Sequence, residues 1–189
     1  MPWRARTFFL TLCGLIGLST AATVASANTY LQLVERLDRP SDGYCLDVLG
    51  AGGTYRPDLP VNAHNCKAGI APDGLVELRD DGTLYFPAFD RCLTAFGVNR
   101  RSLPGAMLLL RGCSVDEPFY PVAALQQWQH SDVGEVRLAN SDLCLSVGDV
   151  WATTFSPRDT WRVLRLASCD VVAPELSRWQ FVDAPLNSN

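Results

Sequence analysis

Lysine and histidine are scarce in this sequence. Lys67 is the only lysine among the 189 residues, and His64 and His130 are the only histidines. The arginines are scattered, so no strongly basic face is expected, and this disfavours nucleic acid as a partner. The acidic balance of the chain, with 20 Asp and Glu against 16 Lys and Arg, also disfavours binding to anionic lipids.

Motifs for catalysis are absent as well. His64 and His130 are far apart in the chain, which disfavours a shared metal ion or a catalytic triad. The glycine-rich run 50–53 lacks the Lys-Ser/Thr ending of a phosphate-binding loop. Asp47 and Asp73 remain a less favoured alternative as a carboxylate pair for glycoside cleavage. The sequence therefore predicts no enzyme, no cofactor and no metal site.

The N-terminus has the pattern of a secretory signal peptide. An arginine-containing start precedes an apolar run over 8–24, which ends in the small residues Ala25-Ser26-Ala27. An uncleaved membrane anchor is the alternative, since about 18 apolar residues just span a bilayer. We predict cleavage of residues 1–27, a single domain over 28–189 and a secreted or periplasmic location. The mature chain, with 14 basic and 20 acidic side chains and a net charge of −6, is not expected to insert into a membrane.

Six cysteines follow the leader and repeat in a regular order. Three of them open similar tripeptides: Cys45-Leu46-Asp47, Cys92-Leu93-Thr94 and Cys144-Leu145-Ser146. Each is followed 21, 21 or 25 residues later by a second cysteine. An even number of cysteines in an exported chain indicates disulfides. We predict three bridges, each within one repeat: Cys45–Cys66, Cys92–Cys113 and Cys144–Cys169.

Free thiols or zinc ligands are the alternatives to this pairing. Paired zinc ligands usually lie about two to four residues apart, and no two of these six cysteines are so close.

A unit of about fifty residues thus occurs three times, over approximately 29–80, 81–131 and 132–183. Each copy holds about four short strand patterns, and no segment keeps a helical period over three turns. Asp81-Gly82 and Val133-Gly134 are candidate hairpin turns. Three copies are too few for a propeller, which needs about four blades. The period therefore favours an all-β fold with pseudo-threefold symmetry.

These motifs resemble those of the ricin B-chain-type β-trefoil lectin family. Cys45-Leu46-Asp47-Val48 and Gln126-Gln127-Trp128 match the family pattern in full, while Ser177-Arg178-Trp179 keeps only its tryptophan and Gly74-Leu75-Val76 keeps neither end. The resemblance covers roughly residues 29 to 183. It implies six hairpins, three closing a short barrel and three capping it, with Trp128 and Trp179 in the core.

The resemblance also implies a sugar site in the first repeat. Asp47 takes the position of the acceptor, Asn62 that of a polar contact, His64 that of the stacking platform, and Asp73 replaces an asparagine. Trp151 or Tyr55 would be a ring from another direction. The other repeats lack an acceptor or a ring at these positions, which hold Thr94, Leu109 and Arg111 in the second repeat and Ser146, Arg165 and Ala167 in the third.

A structural role for these residues is the alternative. Asp47 would then cap a turn, and His64 would be an exposed strand residue. Asp47 and Asp73 would repel each other unless a cation, such as Arg56, lay between them.

Two functions are consistent with these features. The favoured one is a secreted carbohydrate-binding domain with at most one sugar site, whose partner is a glycan or glycoconjugate. The alternative is a protein-binding or protease-inhibitor-like trefoil. Its candidate contact loops are the insertion with Pro118, Phe119, Tyr120 and Pro121, and the loop marked by Phe155, Pro157 and Trp161.

Overall fold

The computed structural model describes residue 1, residues 28–115 and residues 120–184. Apart from residue 1, the predicted leader, 1–27, lies outside the described residues, and so do Pro118 and Phe119 of the insertion.

Across the described residues the chain forms twelve strands, four for each repeat. The first repeat contains β1 (Thr29–Leu33), β2 (Tyr44–Asp47), β3 (Asn62–Asn65) and β4 (Glu77–Leu78). The second contains β5 (Leu84–Phe86), β6 (Arg91–Ala95), β7 (Leu108–Arg111) and β8 (Trp128–His130). The third contains β9 (Val136–Leu138), β10 (Leu143–Thr153), β11 (Thr160–Ser168) and β12 (Trp179–Asp183). Two short 3-10 helices span Val122–Leu125 and Pro174–Leu176.

Three strand pairings recur in each repeat. The first three strands pair in sequence, as in β1–β2–β3, β5–β6–β7 and β9–β10–β11. The fourth strand pairs with the first strand of the next repeat, as in β4–β5 and β8–β9, and β12 pairs with β1. The last pairing closes the chain on itself around a threefold axis. This confirms the predicted all-β, β-trefoil fold.

The tryptophans and the Cys-Leu tripeptides meet in the core. Trp128 and Trp179 are buried. The indole N–H of Trp128 donates to the backbone oxygen of Leu93, and that of Trp179 to the backbone oxygen of Leu145, each at 3.0 Å. Both acceptors are the leucines of the repeated tripeptides. These bonds satisfy the only polar atom of each buried ring.

The turns before β5 and β9 need glycine. Gly82 and Gly134 have φ of +81° and +91°, a backbone region that residues with a Cβ rarely adopt. Their carbonyl oxygens accept from the backbone N–H of Trp128 and Trp179, both at 2.7 Å. The turn of the β4–β5 hairpin thereby binds β8, and the turn of the β8–β9 hairpin binds β12.

The three predicted disulfides are present: Cys45–Cys66, Cys92–Cys113 and Cys144–Cys169. Their Cα–Cα distances are 4.9, 5.0 and 5.1 Å, ordinary values for cystine. Such a framework is typical of an extracellular or otherwise oxidising environment. Within the described ranges, no helix has the length and apolar content to cross a membrane.

The third repeat departs from the other two in its middle hairpin. The sequence predicts a short strand over Val163–Leu166, but β11 runs over nine residues and β10 over eleven. Trp161, predicted to lie on a loop, is therefore in a strand. Inward and outward residues alternate along β11, as the two-residue period of a strand requires.

Candidate functional site

A groove of about 1070 Å³ lies between the first repeat and the β10–β11 hairpin. It exists because β11 pairs on one edge with β10 and on the other with β3 of the first repeat. Its walls include three of the four predicted sugar-site residues together with residues that the sequence did not assign to this site. The groove residues that matter here are Asp47, Asn62, His64, Lys67, Phe155 and Trp161.

The β-sheet register places the predicted residues on one face. Asp47 of β2 is opposite Asn62 of β3, which is opposite Val163 of β11. Two residues along, His64 is opposite Trp161. Directly paired residues in antiparallel strands share a face, and so do residues two apart. The groove wall is therefore this face of three adjacent strands.

The residues between the Asp47–Asn62–Val163 row and the His64–Trp161 row point to the opposite face of the sheet. Leu46 of β2, Ala63 of β3 and Arg162 of β11 form the row between the two groove rows, and all three are buried. Because a strand alternates its side chains, burying this row in the core turns its neighbours to the groove.

Lys67 joins the two predicted carboxylates. Its ammonium donates to Asp47 Oδ2 at 2.8 Å and also contacts Asp73 Oδ2. The side chains of Asp47 and Asp73 are almost fully buried, while Lys67 is partly exposed to the groove. Asp73 does not line the groove but lies on the other side of the lysine ammonium. The cation needed between the two carboxylates is thus Lys67 and not Arg56.

Burial dominates the electrostatics of this cluster. It raises the pKa of Asp47 from its ordinary value to about 6; Lys67 opposes the rise, and the neighbouring Asp73 adds to it. Burial acts against the charged form of Lys67 too, but the two carboxylates outweigh it and raise the pKa of the lysine. Two buried carboxylates therefore share one ammonium, and the cluster carries an excess of negative charge when all three groups are ionised.

Two oxygens at this site are buried without a hydrogen-bond partner among the described residues: Asn62 Oδ1 and Asp73 Oδ1. Buried acceptors are normally satisfied, because leaving one unpaired costs about 1–3 kcal/mol. Asn62 lies in the groove wall. Its Oδ1 has almost no exposed surface, so it meets a ligand that donates hydrogen bonds only when the amide turns toward the groove.

Asn65 attaches β3 to the start of β11. Its Oδ1 accepts from the backbone N–H of Thr160 at 2.9 Å, and its Nδ2 donates to Asp42 Oδ2 at 3.1 Å. His64 Nδ1 lies 3.0 Å from the backbone oxygen of Asn65, which restrains the imidazole in the groove wall beside Trp161.

Arg162 holds the hairpin from the opposite face. Its guanidinium donates to Asp38 Oδ1 and, at 2.8 Å, to the backbone oxygen of Gly148, and it lies 4.9 Å from the ring centre of Tyr44. Asp38 also accepts from the Tyr44 hydroxyl. These contacts tie the third-repeat hairpin to the first repeat over more than 100 residues of sequence.

Several sequence-based candidates lie elsewhere. Arg56 pairs with Asp58 at 2.7 Å in an exposed loop. Tyr55 packs edge-to-face on Phe89, with ring centres 5.7 Å apart. Neither Tyr55 nor Trp151 lines the groove; the ring next to His64 is Trp161. The sequence could have indicated Lys67 as a site residue, because the only lysine of the chain directly follows Cys66.

The second repeat fills the equivalent position with a neutral network. Gln126 Nε2 donates to Thr94 Oγ1 at 2.9 Å and to the backbone oxygen of Gly112 at 3.0 Å, and its Oε1 accepts from the backbone N–H of Ser114 at 2.7 Å. Thr94 holds the position that Asp47 has in the first repeat. Lys67 therefore supplies in the first repeat the donor that Gln126 supplies in the second.

The first repeat has no room for the glutamine of the Gln-x-Trp pattern. The ring of Tyr30 occupies the space, and a Cβ on Gly74 would lie 3.0 Å from its Cε1 atom. The Tyr30 hydroxyl donates to the backbone oxygen of Gly69 and accepts from the backbone N–H of Ala71. Tyr30 thus holds the loop that carries Lys67 and Asp73.

Replacing Gly74 with glutamine is expected to destabilise the fold, although it restores the family pattern. The new side chain collides with Tyr30, and overpacking of this kind typically costs about 1–3 kcal/mol. Chemical denaturation measures the change. Gly112→Gln is the matched control, because a Cβ there makes only ordinary contacts, at 3.5 Å or more. A Gly74→Gln protein as stable as the wild type would contradict this explanation.

The two predicted protein-contact loops differ in packing. Tyr120 packs against the core, and its hydroxyl donates to the backbone oxygen of Ala95 at 3.1 Å. Phe155, at the tip of the β10–β11 hairpin, is 98% exposed.

Comparison with known proteins supports the fold. No protein-family model matches the chain, and no curated protein matches it in sequence. Among solved structures, the chain is similar to the β-trefoil lectin of the Vibrio vulnificus hemolysin/cytolysin, solved with N-acetyl-D-lactosamine bound (TM-score 0.52, 15% identity, 86% of this chain and 99% of that one). It is also similar to an agglutinin from Abrus precatorius (TM-score 0.56, 21% identity, 85% of this chain and 51% of that one). A third similar structure is the mdaA-1 domain (TM-score 0.55, 17% identity, 85% of this chain and 90% of that one). At these identities the likeness establishes the β-trefoil fold.

Proposed function

We propose that the chain is a secreted carbohydrate-binding module with a single glycan site in the groove between the first repeat and the β10–β11 hairpin. The observation that carries the proposal is the shared face of β2, β3 and β11. On it, Asp47 and Asn62 share a surface with His64, which lies beside the exposed ring of Trp161. Acceptors beside an aromatic surface match a sugar, which presents hydroxyl donors on its edge and C–H groups on its face.

The Asp47–Lys67–Asp73 cluster supports a neutral or amino sugar as the ligand. The cluster has two carboxylates for one ammonium, and Asn62 adds an unpaired acceptor. An anionic sugar would bring its charge close to this excess of negative charge. A ligand that donates hydrogen bonds would satisfy Asn62 Oδ1 once the amide turns toward the groove. The similar Vibrio lectin, solved with a neutral amino-sugar-containing glycan, agrees with this class of ligand.

A glycan array is the direct test. The wild-type chain is expected to bind neutral or amino sugar-containing glycans, and Asp47→Asn is expected to lose this binding while keeping the side-chain shape. Thr94→Val is the matched control, because Thr94 has the equivalent position in the second repeat, away from the groove. An array on which the wild type binds nothing would contradict the proposal.

Asn62→Ala is expected to weaken glycan binding about tenfold, the worth of one hydrogen bond, without loss of stability. Asn62 Oδ1 has no partner to lose within the described chain. Asn65→Ala is the control on the same strand: it removes the bonds to Thr160 and Asp42 and is expected to cost about 1–3 kcal/mol. Isothermal titration and urea unfolding of both variants separate the two effects. Equal destabilisation by both variants would assign Asn62 a structural role.

A protein-binding role is the second candidate. The exposed apolar residues Val150 and Phe155 on the β10–β11 hairpin support it, since such residues often mark interfaces. An array without binding, combined with a protein partner whose capture is lost in Phe155→Ser, would favour this function over the first.

A further inference from the structure

We infer that the groove holds a glycan chain of at least two residues, with Trp161 of the third repeat as the platform of a second subsite. The inference rests on the proposed function and deepens it. The first subsite is the polar end with Asp47 and Asn62, and the second is the apolar end formed by β11.

The two ends are too far apart for one sugar ring. Asp47 and Trp161 are separated by two strand spacings and by two residues along the strand. With about 4.8 Å between strands and about 3.3 Å per residue, their Cα atoms lie about 12 Å apart. A single pyranose bound to the acceptor oxygens of Asp47 therefore leaves the indole uncovered. A second unit, linked to the first, reaches it.

The far end has the surface that a sugar face requires. Trp161 and Val163 point outward on β11, and Met107 pairs with Arg165 further along the same strand; all three are partly exposed and line the groove. Isolated apolar residues on a surface need no explanation, but a contiguous row beside acceptor groups marks a binding surface. An indole covers the C–H face of a pyranose.

The charges at the rim favour a second sugar over an aliphatic group. Arg39, Asp42, Arg158 and Asp159 line the same groove. Charged groups placed there hydrogen-bond to hydroxyls, whereas an aliphatic chain would desolvate them without compensation. The chemistry of this end is therefore a ring surface with polar groups around it.

The platform is held in place before a ligand arrives. Arg162, next to Trp161 on the opposite face of β11, is bound to Asp38 and Gly148, and the backbone of Thr160 is bound to Asn65. A preorganised strand leaves less conformational freedom to be lost on binding. Specificity for the second sugar thus depends on a hairpin that belongs to a different repeat.

Titration calorimetry with length-matched ligands tests the inference. The probes are glucose, galactose, mannose and N-acetylglucosamine, each as the monosaccharide and as linked di-, tri- and tetrasaccharides. We expect the disaccharide of the preferred series to bind roughly tenfold or more tightly than its monosaccharide, the gain of one stacking contact. Trp161→Ala is expected to remove this gain and to leave the affinity for the monosaccharide unchanged.

Two further variants make the result specific. Trp151→Ala removes the other exposed tryptophan of the same hairpin, which is 48% exposed against 36% for Trp161 but does not line the groove, and it is expected to keep the gain. Trp161→Tyr keeps a ring and is expected to retain most of the gain, which also covers the case in which Trp161→Ala does not fold.

The outcomes distinguish the two proposals. If the protein binds none of the four sugar series, the proposed function and this inference are both overturned. Equal affinity for mono- and disaccharides would overturn the second subsite alone. So would a Trp161→Ala variant that still binds the disaccharide more tightly than the monosaccharide. A loss of the gain in Trp151→Ala equal to that in Trp161→Ala would also overturn it.

Discussion

Replacing Lys67 with methionine is expected to lower the free energy of unfolding by about 3–5 kcal/mol at neutral pH, the usual cost of removing one partner from a buried ion pair. Lys67 is the cation between Asp47 and Asp73. Without it, two buried carboxylates face each other with no counter-charge. Methionine keeps the length and the apolar stem of the side chain, so the lost charge is the main change.

The effect is expected to depend strongly on pH. The pKa of Asp47 is already about 6 in the folded protein, and it rises further when Lys67 no longer opposes the shift. Between pH 4 and this raised pKa, the folded state keeps a proton that the unfolded state has lost. Stability therefore falls as pH rises through this window and is constant above it. The wild type loses stability in the same way up to about pH 6, so the penalty of the variant relative to the wild type grows only above this pH. Urea unfolding at pH 4, 5.5 and 7.5 is expected to show a small penalty at pH 4 and 5.5 and a clearly larger one at pH 7.5.

A rescue variant identifies the cause. Adding Asp47→Asn and Asp73→Asn to Lys67→Met removes both buried charges and is expected to recover more than half of the lost stability. The recovered protein is still expected to lack glycan binding, because the acceptor carboxylate is gone. If Lys67→Met alone were as stable as the wild type at pH 7.5, the three side chains would not form one electrostatic unit.

Removing either of two disulfides is expected to cost the same stability, while only one removal affects binding. Cys45–Cys66 and Cys92–Cys113 have the same sequence separation of 21 residues. Cross-linking a loop of this length stabilises the fold by roughly 3 kcal/mol in the chain-entropy model. The alanine double variants at the two bridges are therefore expected to unfold at similar urea concentrations, about 3 kcal/mol below the wild type.

Glycan binding separates these two variants. Cys66 lines the groove and directly precedes Lys67. Loss of the first bridge therefore makes the groove wall and the position of the Lys67 ammonium less fixed. Cys113 belongs to the second repeat and does not line the groove. Titration with the preferred glycan under native conditions is expected to show weakened binding for Cys45→Ala/Cys66→Ala alone. Equal weakening in both variants would mean that global stability, and not the local wall, controls the affinity.

Features that depend on neighbours in sequence were predictable. The repeated Cys-Leu tripeptides and the equal spacings identified the three bridges, because each bridge closes within its own unit. The same repeats predicted an all-β fold with pseudo-threefold symmetry, and their resemblance to the ricin B-chain-type family implied the β-trefoil. The positions of Asp47 and Asn62 across from each other also follow from a single local hairpin, β2–β3.

The strand lengths in the third repeat were only partly predictable. The pattern around Val163 indicated a strand, but its extension to Thr160–Ser168 depends on pairing at both edges, with β10 and with β3. The local sequence therefore predicts a loop at Trp161, whereas in the fold this residue lies in β11 and lines the groove.

By itself the sequence determined the threefold repeat and its bridges and, through the family resemblance, the grouping of Asp47 with Asn62. The bridges and this grouping arise from contacts within about 25 residues. The tertiary structure alone decided that Lys67 occupies the space between two carboxylates, that Tyr30 excludes a glutamine at Gly74, and that Trp161 lies beside His64. Trp161 meets His64 only when the third repeat pairs with the first, whereas the contacts of Lys67 and Tyr30 lie within the first repeat and follow no repeated pattern. Their energies depend on burial and on exact side-chain placement, which no local pattern encodes.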